Sequence, residues 1–378
     1  MKEGWEYKKL GEVCRIERGG SPRPIKDFIT NSPDGLNWIK IGDTDPQGKY
    51  IYSTKEKIKP EGLRKSRWVE VDEFLLSNSM SFGRPYILKT NGCIHDGWLV
   101  LRDYQNSLII DYFYYLLISP HVQNQFRTKA QGSTVSNLNT DRVADVNIAF
   151  PPLSEQQSIV DYLDSAFAKI DAMKANAEKN LNEAKALFQA SLKEMLEPKE
   201  GWEEKTLPEI SENLDSIRKP VTKGKRTAGI YPYYGASGIV DYVDDYLFDE
   251  DLLCISEDGA NLLMRTYPIA FPISGKVWVN NHAHVLRFKS IVTQKYVEYC
   301  FSGMKLDEYI TGAAQPKLTQ KALNSIIINL PSTLDEQQSI VATLDSLKSK
   351  VDCLQENYDK ISQECDALKQ SILRQVFE

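Results

Sequence analysis

The chain has 378 residues, more than one ordinary domain holds, so its length indicates two or three domains. With 42% hydrophobic and 26% charged residues, its composition is that of a folded globular chain and excludes a disordered or collagen-like one. The net charge of −6 argues weakly against nucleic-acid binding, but residues 1–150 carry +3, 151–200 carry −3, 201–330 carry −2 and 331–378 carry −4. The acidity therefore lies mainly in two short segments.

Two features bear on the compartment. Residues 1–5 lack the apolar core of a signal peptide, and the longest apolar stretch, residues 108–118, is too short to span a membrane. The 6 cysteines are scattered without a Cys-x-x-Cys pair, which indicates reduced thiols rather than disulfides or a zinc site. These features predict an intracellular, cytoplasmic protein.

Residues 1–150, called here the first head, have the pattern of short strands and turns. Apolar residues predict strands at residues 37–41, 74–76 and 86–88, and a helix at residues 111–118. Short strands with one closing helix favour an α+β head with mainly antiparallel strands.

A long helix is predicted to follow the first head. Pro152, then Ser154 with Glu155 behind it, marks its start, and Pro198 lies beyond its end. Residues 156–196 contain no Gly or Pro and would form a helix about 60 Å long. A stripe recurs along it at alternating steps of four and three residues, at Ile159, Leu163, Ala166, Ile170, Met173, Ala177, Asn180, Ala184 and Leu187.

The chain then repeats this plan. The opening Gly-Trp-Glu at Gly4 recurs at Gly201, and the Glu-Gln-Gln-Ser-Ile-Val of residues 155–160 recurs at residues 336–341. Six identical consecutive residues in matching places indicate a duplication. The chain therefore contains two copies of a head followed by a helix, a built-in pseudo-dimer.

The second copy is predicted to resemble the first. A turn and strand are expected at residues 274–279 and a helix near residues 294–301 of the second head. The second helix keeps the heptad pattern at Ile340, Leu344, Leu347, Val351, Leu354, Tyr358, Ile361, Cys365, Leu368 and Ile372. The predicted segments are residues 1–150, 151–197, 198–330 and 331–378.

A single apolar stripe on so long a helix needs a partner, and the two helices match in length and register. Because the first helix carries the chain from one head to the other, a pseudo-twofold relation makes the helices antiparallel. In the alternative, each helix packs on its own head alone. The pattern favours a mixed α+β chain, in which two α/β heads are joined by a pair of long antiparallel coiled-coil helices with internal pseudo-twofold symmetry.

Neither head carries a catalytic motif. The sequence lacks the patterns of zinc proteases, phosphate-binding loops, nucleophile elbows and dinucleotide sites, as well as the Asp/Asn-Pro-Pro-Tyr of adenine methylation. His282 and His284 stand two residues apart without a clear third ligand, so turn or core roles suit them better than a metal site. The sequence predicts no catalytic residue and no metal.

Basic residues instead cluster in the turn-rich parts of both heads. Lysines and arginines on loops neutralise phosphates, and an Arg on a rigid turn reads guanine through two hydrogen bonds. An ordinary solvated surface is the alternative for any one of these residues. The clusters contain Arg15, Arg18, Arg23, Lys55, Lys57, Lys59, Arg64, Lys65, Arg67 and Arg84 in the first head, and Arg218, Lys219, Lys223, Lys225 and Arg226 in the second.

Several motifs together carry a family resemblance that covers nearly the whole chain. They are the two Gly-Trp-Glu openings, the Pro-Pro-Leu-Ser-Glu-Gln-Gln of residues 151–157, and residues 77–84, 95–98, 231–238, 257–261 and 278–284. On these motifs the chain resembles the specificity subunit of a Type I restriction–modification system.

The resemblance implies that each head is a target-recognition domain that reads one half of a split, asymmetric site in double-stranded DNA. The helices would be spacers that set the distance between half-sites and dock two modification subunits, which carry adenine methyltransferase chemistry and bind S-adenosylmethionine. Motor subunits that use ATP and Mg would add translocation and cleavage. This chain would be non-catalytic, bind no cofactor itself and contact no membrane.

The resemblance does not fix the DNA contacts, so these are predicted from chemistry. Arg84 and Arg226 are the predicted base readers, and the predicted phosphate contacts are Lys55, Lys57, Arg64, Lys65, Lys223, Lys225 and Lys276. Polar contacts are predicted before the last strand of each head, at Gln131, Ser133, Thr134, Gln315 and Lys317. Tyr233 and Tyr234 suit DNA contact and a place in the core equally.

Two other functions belong to different classes. A self-sufficient DNA-modifying enzyme is disfavoured by the missing motifs. A coiled-coil structural adaptor that binds proteins through its heads would show no preference for a bipartite DNA site.

Overall fold

The structure, a computed structural model, describes residues 3–46, 48–78, 83–130, 137–312 and 315–378. The chain forms two compact units, Met1–Asn176 with Lys360–Glu378 (unit 1) and Ala177–Asp359 (unit 2). Each unit therefore contains one head and part of both long helices. In the described ranges, no helix combines the length and the apolar composition needed to cross a bilayer. The division into four segments stays a prediction.

The first head is built from short strands, as its apolar pattern predicts. The strands are β1 (Glu6–Lys9), β2 (Arg15–Arg18), β3 (Ile29–Thr30), β4 (Leu36–Ile39), β5 (Tyr50–Ile51), β6 (Glu56–Ile58), β7 (Arg67–Val69), β8 (Phe74–Ser77), β9 (Pro85–Leu88), β10 (Gly92–Ile94), β11 (Trp98–Arg102) and β12 (Asn147–Phe150). The helices are α1 (Leu10–Val13), α2 (Ile110–Ile118), α3 (Pro120–Ala130) and α4 (Thr140–Ala144). Helix α2 confirms the helix predicted at residues 111–118. Helix α3 was missed, because its sequence is mostly polar and turns only a few apolar side chains to the core.

Two sheets and a helical layer form this head. One sheet has the order β2-β11-β8-β9-β5 and the other β3-β6-β4-β10-β7, while β1 pairs with β12. Neighbouring strands are antiparallel except in the pairs β4–β10 and β5–β9. Side chains of β8 alternate between two cores: Phe74 and Leu76 pack with the helices, and Leu75 packs with residues of the second sheet.

Unit 2 repeats this architecture. Its strands are β13 (Glu203–Thr206), β14 (Ser211–Asn213), β15 (Ala228–Gly235), β16 (Gly238–Val243), β17 (Phe248–Asp249), β18 (Leu252–Ser256), β19 (Ala270–Ile273), β20 (Lys276–Val279), β21 (Ala283–Phe288), β22 (Ile310–Thr311), β23 (Lys317–Leu318) and β24 (Ile327–Leu330). The two long helices of the chain are α5 (Leu153–Met195) and α10 (Leu334–Phe377). Between them, the short helices of unit 2 are α6 (Leu207–Ile210), α7 (Asn261–Met264), α8 (Ile291–Gly303) and α9 (Gln320–Asn324).

The strand order shows the duplication directly. The sheet β14-β21-β18-β19 matches β2-β11-β8-β9, and β16-β15-β20-β17 matches β6-β4-β10-β7. The parallel pair β15–β20 corresponds to the parallel pair β4–β10. The predicted duplication is confirmed, together with the mixed α/β class.

The repeated Glu-Gln-Gln motif ties each long helix to its head. Gln156 is fully buried at the start of α5, where its side chain accepts from the Ile109 N–H over 3.0 Å. Its side-chain amide donates to the carbonyls of Ser107, over 2.8 Å, and Pro151, over 2.9 Å. In this way one side chain joins the helix start to the loop before α2.

Gln337 does the same at the start of α10. It accepts from the Thr293 hydroxyl over 2.8 Å and donates to the Pro331 carbonyl over 2.9 Å. The glutamate before each glutamine accepts from an indole N–H, Glu155 from Trp5 over 3.3 Å and Glu336 from Trp202 over 3.0 Å. The Gly-Trp-Glu and Glu-Gln-Gln repeats are therefore two parts of one junction.

The two long helices pair antiparallel, as predicted. In unit 1, Lys174 of α5 lies 3.5 Å from Asp366 of α10, and Asp171 of α5 lies 2.5 Å from Lys369 of α10. A step of three residues back along α5 thus matches a step of three residues forward along α10, as in an antiparallel pair. In unit 2, Lys185 donates to the Gln355 side chain over 2.7 Å. Both helices also pack on the heads, so helix pairing and packing on the heads occur together.

Several predicted seam positions are wrong. Met173 and Leu187 are each 60% exposed and Asn180 is also exposed, whereas Leu181 and Leu192 are buried. In α10, Leu368 is 48% exposed, while Leu373 and Phe377 are buried. The helix ends are buried because they pack on the heads as well as on each other, and a heptad count does not see the heads.

We expect Gln156→Ala to lower the free energy of unfolding by about 2–3 kcal/mol and Gln337→Ala by about 1–2 kcal/mol, because each leaves buried backbone or hydroxyl groups unsatisfied. Chemical denaturation followed by circular dichroism would measure both. The controls are Gln157→Ala and Gln338→Ala, which change the exposed neighbour and should stay within about 0.5 kcal/mol. Equal losses for buried and exposed glutamines would contradict this account of the junction.

Candidate nucleic-acid interface

Three loops of unit 2 meet at the ends of β18 and β20 and form the unit 2 corner: residues 256–261, 279–283 and 315–318. The Glu257 N–H donates to the His282 carbonyl over 2.9 Å, and the Leu318 N–H donates to the Glu257 carbonyl over 2.8 Å. The Gly259 N–H donates to the Pro316 carbonyl over 3.0 Å. Backbone hydrogen bonds therefore bring together three motifs that the sequence presents separately.

The Tyr-rich motif of residues 231–238 reaches the same corner. It forms the end of β15 and the turn into β16. The Asn280 N–H donates to the Tyr234 carbonyl over 3.1 Å, and the Ser256 hydroxyl donates to the Ala236 carbonyl. These backbone-anchored loops are called here the frame of the corner. Its exposed polar side chains are Ser237, Asn281, His282, Gln315 and Lys317.

An ion network lies beneath the unit 2 corner. The Arg218 guanidinium lies 3.1 Å from the Asp215 carboxylate and 2.6 Å from the Glu257 carboxylate. The His284 ring lies 2.6 Å from Asp215, and the Lys317 ammonium lies 3.1 Å from Glu257. His284 is fully buried, and the two carboxylates are nearly so.

The network holds both carboxyl groups ionised. Burial would raise the pKa of Asp215, but the hydrogen bond and charge of His284 and the charge of Arg218 outweigh it, so this pKa lies below its ordinary value. Burial is likewise outweighed at Glu257 by Arg218, His284 and Lys317, which lower its pKa. Because both pKa values are lowered, the network stabilises unit 2 above the carboxyl range, and this contribution is lost as the pH falls through that range.

The two histidines of the corner have different roles. His282 has a half-exposed side chain that lies 2.9 Å from Asp258, whereas His284 is buried. Asp215, Glu257 and His284 lie close enough together to surround an ion. However, the cations of Arg218 and Lys317 already neutralise the two carboxylates, so the arrangement is that of an ion-pair network.

Unit 1 has the same frame with different side chains, at residues 77–78, 94–98 and 137–138, called the unit 1 corner. The Asn78 N–H donates to the Gly97 carbonyl over 3.0 Å, and the Leu138 N–H donates to the Asn78 carbonyl over 2.9 Å. These bonds repeat those of Glu257 and its partners in unit 2. The strand registers agree, since Trp98 pairs with the last residue of β8 as Ala283 does with the last residue of β18.

Polar groups converge on Asp96 in the unit 1 corner. Its carboxylate accepts from the Ser21 hydroxyl over 2.6 Å and lies 3.3 Å from Arg23, and its carbonyl accepts from Arg18 over 3.2 Å. A Cβ at Gly19 would lie 2.1 Å from the His95 carbonyl oxygen, so this close approach requires glycine. The hydrogen bond from the Ser21 hydroxyl and the charge of Arg23 help to lower the pKa of Asp96.

The predicted contacts of the first head lie in several places. Arg84 is half-buried, with its guanidinium 5.4 Å from the Tyr86 ring centre and 3.4 Å from the Gly48 carbonyl. The Lys65 carbonyl lies beside Gly20 and so next to the unit 1 corner. Lys55 and Arg64 are exposed and Lys57, in β6, is partly exposed. Gln131, Ser133 and Thr134 lie outside the described residues.

In the second head, Arg226 is held inside the fold. Its guanidinium donates to the Val221 carbonyl over 2.9 Å, lies 2.9 Å from the Asp241 carboxylate and sits 4.3 Å from the Tyr233 ring centre. Tyr233 is 1% exposed and stacks on Trp278, so the core alternative describes this tyrosine.

The other predicted contacts of the second head are more accessible. Tyr234 is partly exposed and stacks on Phe271. Lys223 and Lys225 lie in an exposed turn that precedes β15, and the Lys276 ammonium lies 4.8 Å from the Tyr246 ring centre. Of the described residues in the predicted set, Gln315 and Lys317 lie within the unit 2 corner, and Tyr234 borders it through its carbonyl.

The sequence missed the ionic groups beneath the corners. Arg18, Arg23 and Arg218 stood out only as members of basic clusters, and Asp215 did not stand out at all. Arg18 and Arg23 lie 78 and 73 residues from Asp96 in the chain. Asp215 lies 69 residues from His284, and Arg218 lies 39 residues from Glu257. Only the sheet topology brings such pairs together.

One protein-family model matches most of the chain. The model described as "Type I restriction modification DNA specificity domain" matches residues 2–183 and again residues 199–363. The chain belongs to the Type I restriction–modification DNA specificity family. The two matches correspond to the two copies seen in the fold, and the resemblance predicted from the motifs is confirmed.

Curated relatives carry the same description. A putative type I restriction enzyme specificity subunit of Haemophilus influenzae is 36% identical over 157 residues, which are 41% of this chain and 40% of that protein. The Type I restriction enzyme EcoprrI specificity subunit of Escherichia coli is 22% identical over 93% of this chain and 89% of its own length. The EcoKI specificity subunit of Escherichia coli strain K12 is 23% identical over 100% of this chain and 89% of its own.

Solved structures share the fold of this family member. A chain from a study of complex assembly and conformational transition of the type I R-M system has a TM-score of 0.79 at 18% identity, covering 100% of this chain and 98% of its own. The HsdS subunit from Thermoanaerobacter tengcongensis has a TM-score of 0.59 at 19% identity, covering 100% and 97%.

We expect Arg226→Ala to lower the free energy of unfolding by about 1–3 kcal/mol, because it removes two hydrogen-bonded contacts and a cation–π contact. Lys225→Ala, one residue earlier and exposed, is the matched control and should change it by less than about 0.5 kcal/mol. Chemical denaturation of both variants measures the difference. If Arg226→Ala were as stable as Lys225→Ala, the contacts of Arg226 would not contribute to the stability of the head.

Proposed function

We propose that the chain is the DNA-sequence specificity subunit of a Type I restriction–modification complex, in which each head reads one half of a bipartite, asymmetric site. The observation that carries this proposal is the repeated corner: one backbone frame occurs twice in one chain with different side chains. Asn78 and Leu99 in unit 1 occupy the places of Glu257 and His284 in unit 2. Two equal frames with unequal side chains suit two different half-sites.

The long helices would set the distance between the half-sites and dock two modification subunits. Support comes from their antiparallel pairing and from the acidity of residues 151–200 and 331–378, which suits a protein-facing rather than a DNA-facing surface. A rigid link between two readers requires half-sites at a fixed spacing on the duplex.

The chemistry would reside in the partners. The modification subunits would bind S-adenosylmethionine and methylate adenine, and motor subunits, where present, would use ATP and Mg. This chain would contribute specificity without catalysis, and it would act where chromosomal DNA is found, in the cytoplasm.

Phosphate contacts are proposed for the accessible lysines and arginines, which are Lys55, Lys57, Arg64, Lys65, Lys223, Lys225, Lys276 and Lys317. Base contacts are proposed for Arg84 and Arg226, and polar contacts for Gln131, Ser133, Thr134 and Gln315. For Arg226 the proposal requires the guanidinium to exchange its contact with Asp241 for a base edge. Tyr234, with its partly exposed ring, remains a candidate contact.

Single-molecule methylome sequencing of the source strain, with and without this gene, tests the proposal. We expect N6-methyladenine at one split motif to vanish on deletion, because specificity resides in this chain. Replacing residues 198–330 with the corresponding head of a relative should change one half of the motif and leave the other intact. If no motif changed in a strain that expresses an active partner methyltransferase, the coiled-coil adaptor would replace this proposal.

Salt dependence tests the phosphate contacts. We expect Lys223→Ala and Lys225→Ala each to weaken binding to a duplex carrying the motif and to reduce the slope of log K against log salt by about 1, whatever the base sequence. Lys193→Ala, an exposed lysine of α5, is the matched control and should leave the slope unchanged. Fluorescence anisotropy between about 50 and 200 mM salt measures the slopes. Unchanged slopes in both turn variants would exclude this turn from the DNA contact.

A further inference from the structure

His284 is a histidine whose two ring nitrogens both face oxygen acceptors. Nδ1 lies 2.6 Å from the Asp215 carboxylate, and Nε2 lies 2.8 Å from the Leu318 carbonyl oxygen. A carbonyl and an ionised carboxylate can only accept, and a neutral imidazole carries a single N–H. Only the doubly protonated ring donates at both ends, so this arrangement is that of an imidazolium.

Two carboxylates and two other cations lie around this buried charge. Asp215 and Arg218 face the ring from the segment after β14, Glu257 from the end of β18, and Lys317 reaches Glu257 from β23. With His284 protonated, the network holds three cations and two carboxylates. Further titratable groups nearby are the Cys254 thiol of β18, whose strand neighbour is Val285, and the pair formed by His282 and Asp258 in the corner itself.

The ring fixes a segment of the corner. The Leu318 carbonyl accepts from His284, and the Leu318 N–H donates to the Glu257 carbonyl over 2.8 Å. Leu318 follows directly after Lys317, and Gln315 lies two residues before that. If the ring lost a proton, the remaining N–H would stay with the ionised Asp215, and the lone pair of Nε2 would face the Leu318 carbonyl. This repulsion would loosen residues 315–318.

Unit 1 shows that the frame itself does not need the charge. Ser77 pairs with Trp98, and Ser256 pairs with Ala283, so Leu99 occupies in β11 the place that His284 occupies in β21. Leu99 is fully buried in an apolar core. The shared architecture therefore does not require a histidine at this place.

We propose that His284 is a positioning residue whose protonated ring holds Gln315 and Lys317 in place for DNA, so that binding by unit 2 is linked to proton uptake. This inference rests on the proposed function, because it assumes that the unit 2 corner contacts the duplex. Lys317 supplies the positive charge that a phosphate would meet, and its side chain is 48% exposed.

The experiment measures the affinity of the full chain, assembled with its modification subunits, for a duplex carrying its methylome motif at about pH 6 and about pH 8.5 and constant salt. We expect the wild type to bind about tenfold more weakly at the higher pH. His284→Leu, the residue found in unit 1, should bind more weakly and equally at both pH values. His282→Ala removes the exposed histidine of the corner; whatever its own effect on affinity, it should keep the wild-type pH dependence. His121→Ala, in α3 and outside both corners, is the control and should keep both affinity and pH dependence.

Each outcome separates the inference from the proposed function. A His284→Leu variant with the wild-type pH dependence, or a wild type without one, would overturn the inference and leave DNA binding intact. A wild type that bound no duplex at either pH would overturn the proposed function, and the inference with it.

A second measurement observes the protonation state of the His284 ring directly in the wild-type chain. Nitrogen-15 NMR of the histidine-labelled chain, assigned by the loss of one signal in His284→Gln, distinguishes an imidazolium from either neutral tautomer. We expect His284 to give the signature of two protonated ring nitrogens at about pH 6, in contrast to a ring with a single N–H. A neutral His284 at that pH would falsify the inference.

Discussion

A buried side-chain amide connects each long helix to its head, and the geometry of the chain depends on this connection. Gln156 and Gln337 are almost fully enclosed and satisfy backbone or hydroxyl groups of the head from the first turn of α5 and α10. A buried amide with matched partners is specific in direction, because each donor and acceptor has one suitable neighbour. Apolar packing alone would allow a head to slide or rotate on its helix.

The two corners show how one frame can support different chemistry. Backbone hydrogen bonds at Asn78 and Glu257 hold the loops in the same way in both units. The side chains beneath differ, since unit 2 has a buried ion network where unit 1 has an apolar strand and a polar cluster on Asp96. Because the frame is made from main-chain groups, its shape does not depend on which side chains it carries.

Much of this fold could be predicted from the sequence, because the signals are local or repeated. The duplication followed from six identical residues, and the long helices from heptad stripes in runs without Gly or Pro. The seam residues were partly wrong, since Leu181, Leu192 and Leu373 are buried instead. Leu192 and Leu373 lie near helix ends and pack in the cores of the heads, which a heptad count does not include. Helix α3 was missed because it is short and mostly polar, so its few apolar residues do not repeat over enough turns to stand out.

The site was less predictable than the fold. Residue type suggested Arg226 as a base reader and left Tyr233 equally suited to DNA contact and to the core, and both have partners within the head. The interaction of Asp215 with His284 joins residues that are 69 apart, and no spacing rule relates them. Long-range charge pairs are set by strand order, which becomes visible only in three dimensions.

The residue ranges that make up the two units affect the order in which the units can fold. Unit 2 is continuous in sequence, Ala177–Asp359, whereas unit 1 is completed by Lys360–Glu378. Leu373 and Phe377 from the last turns of α10 are part of the core of the first head. During synthesis on the ribosome, the core of the first head therefore lacks part of its residues until 360–378 have been made, whereas unit 2 needs only residues 177–359.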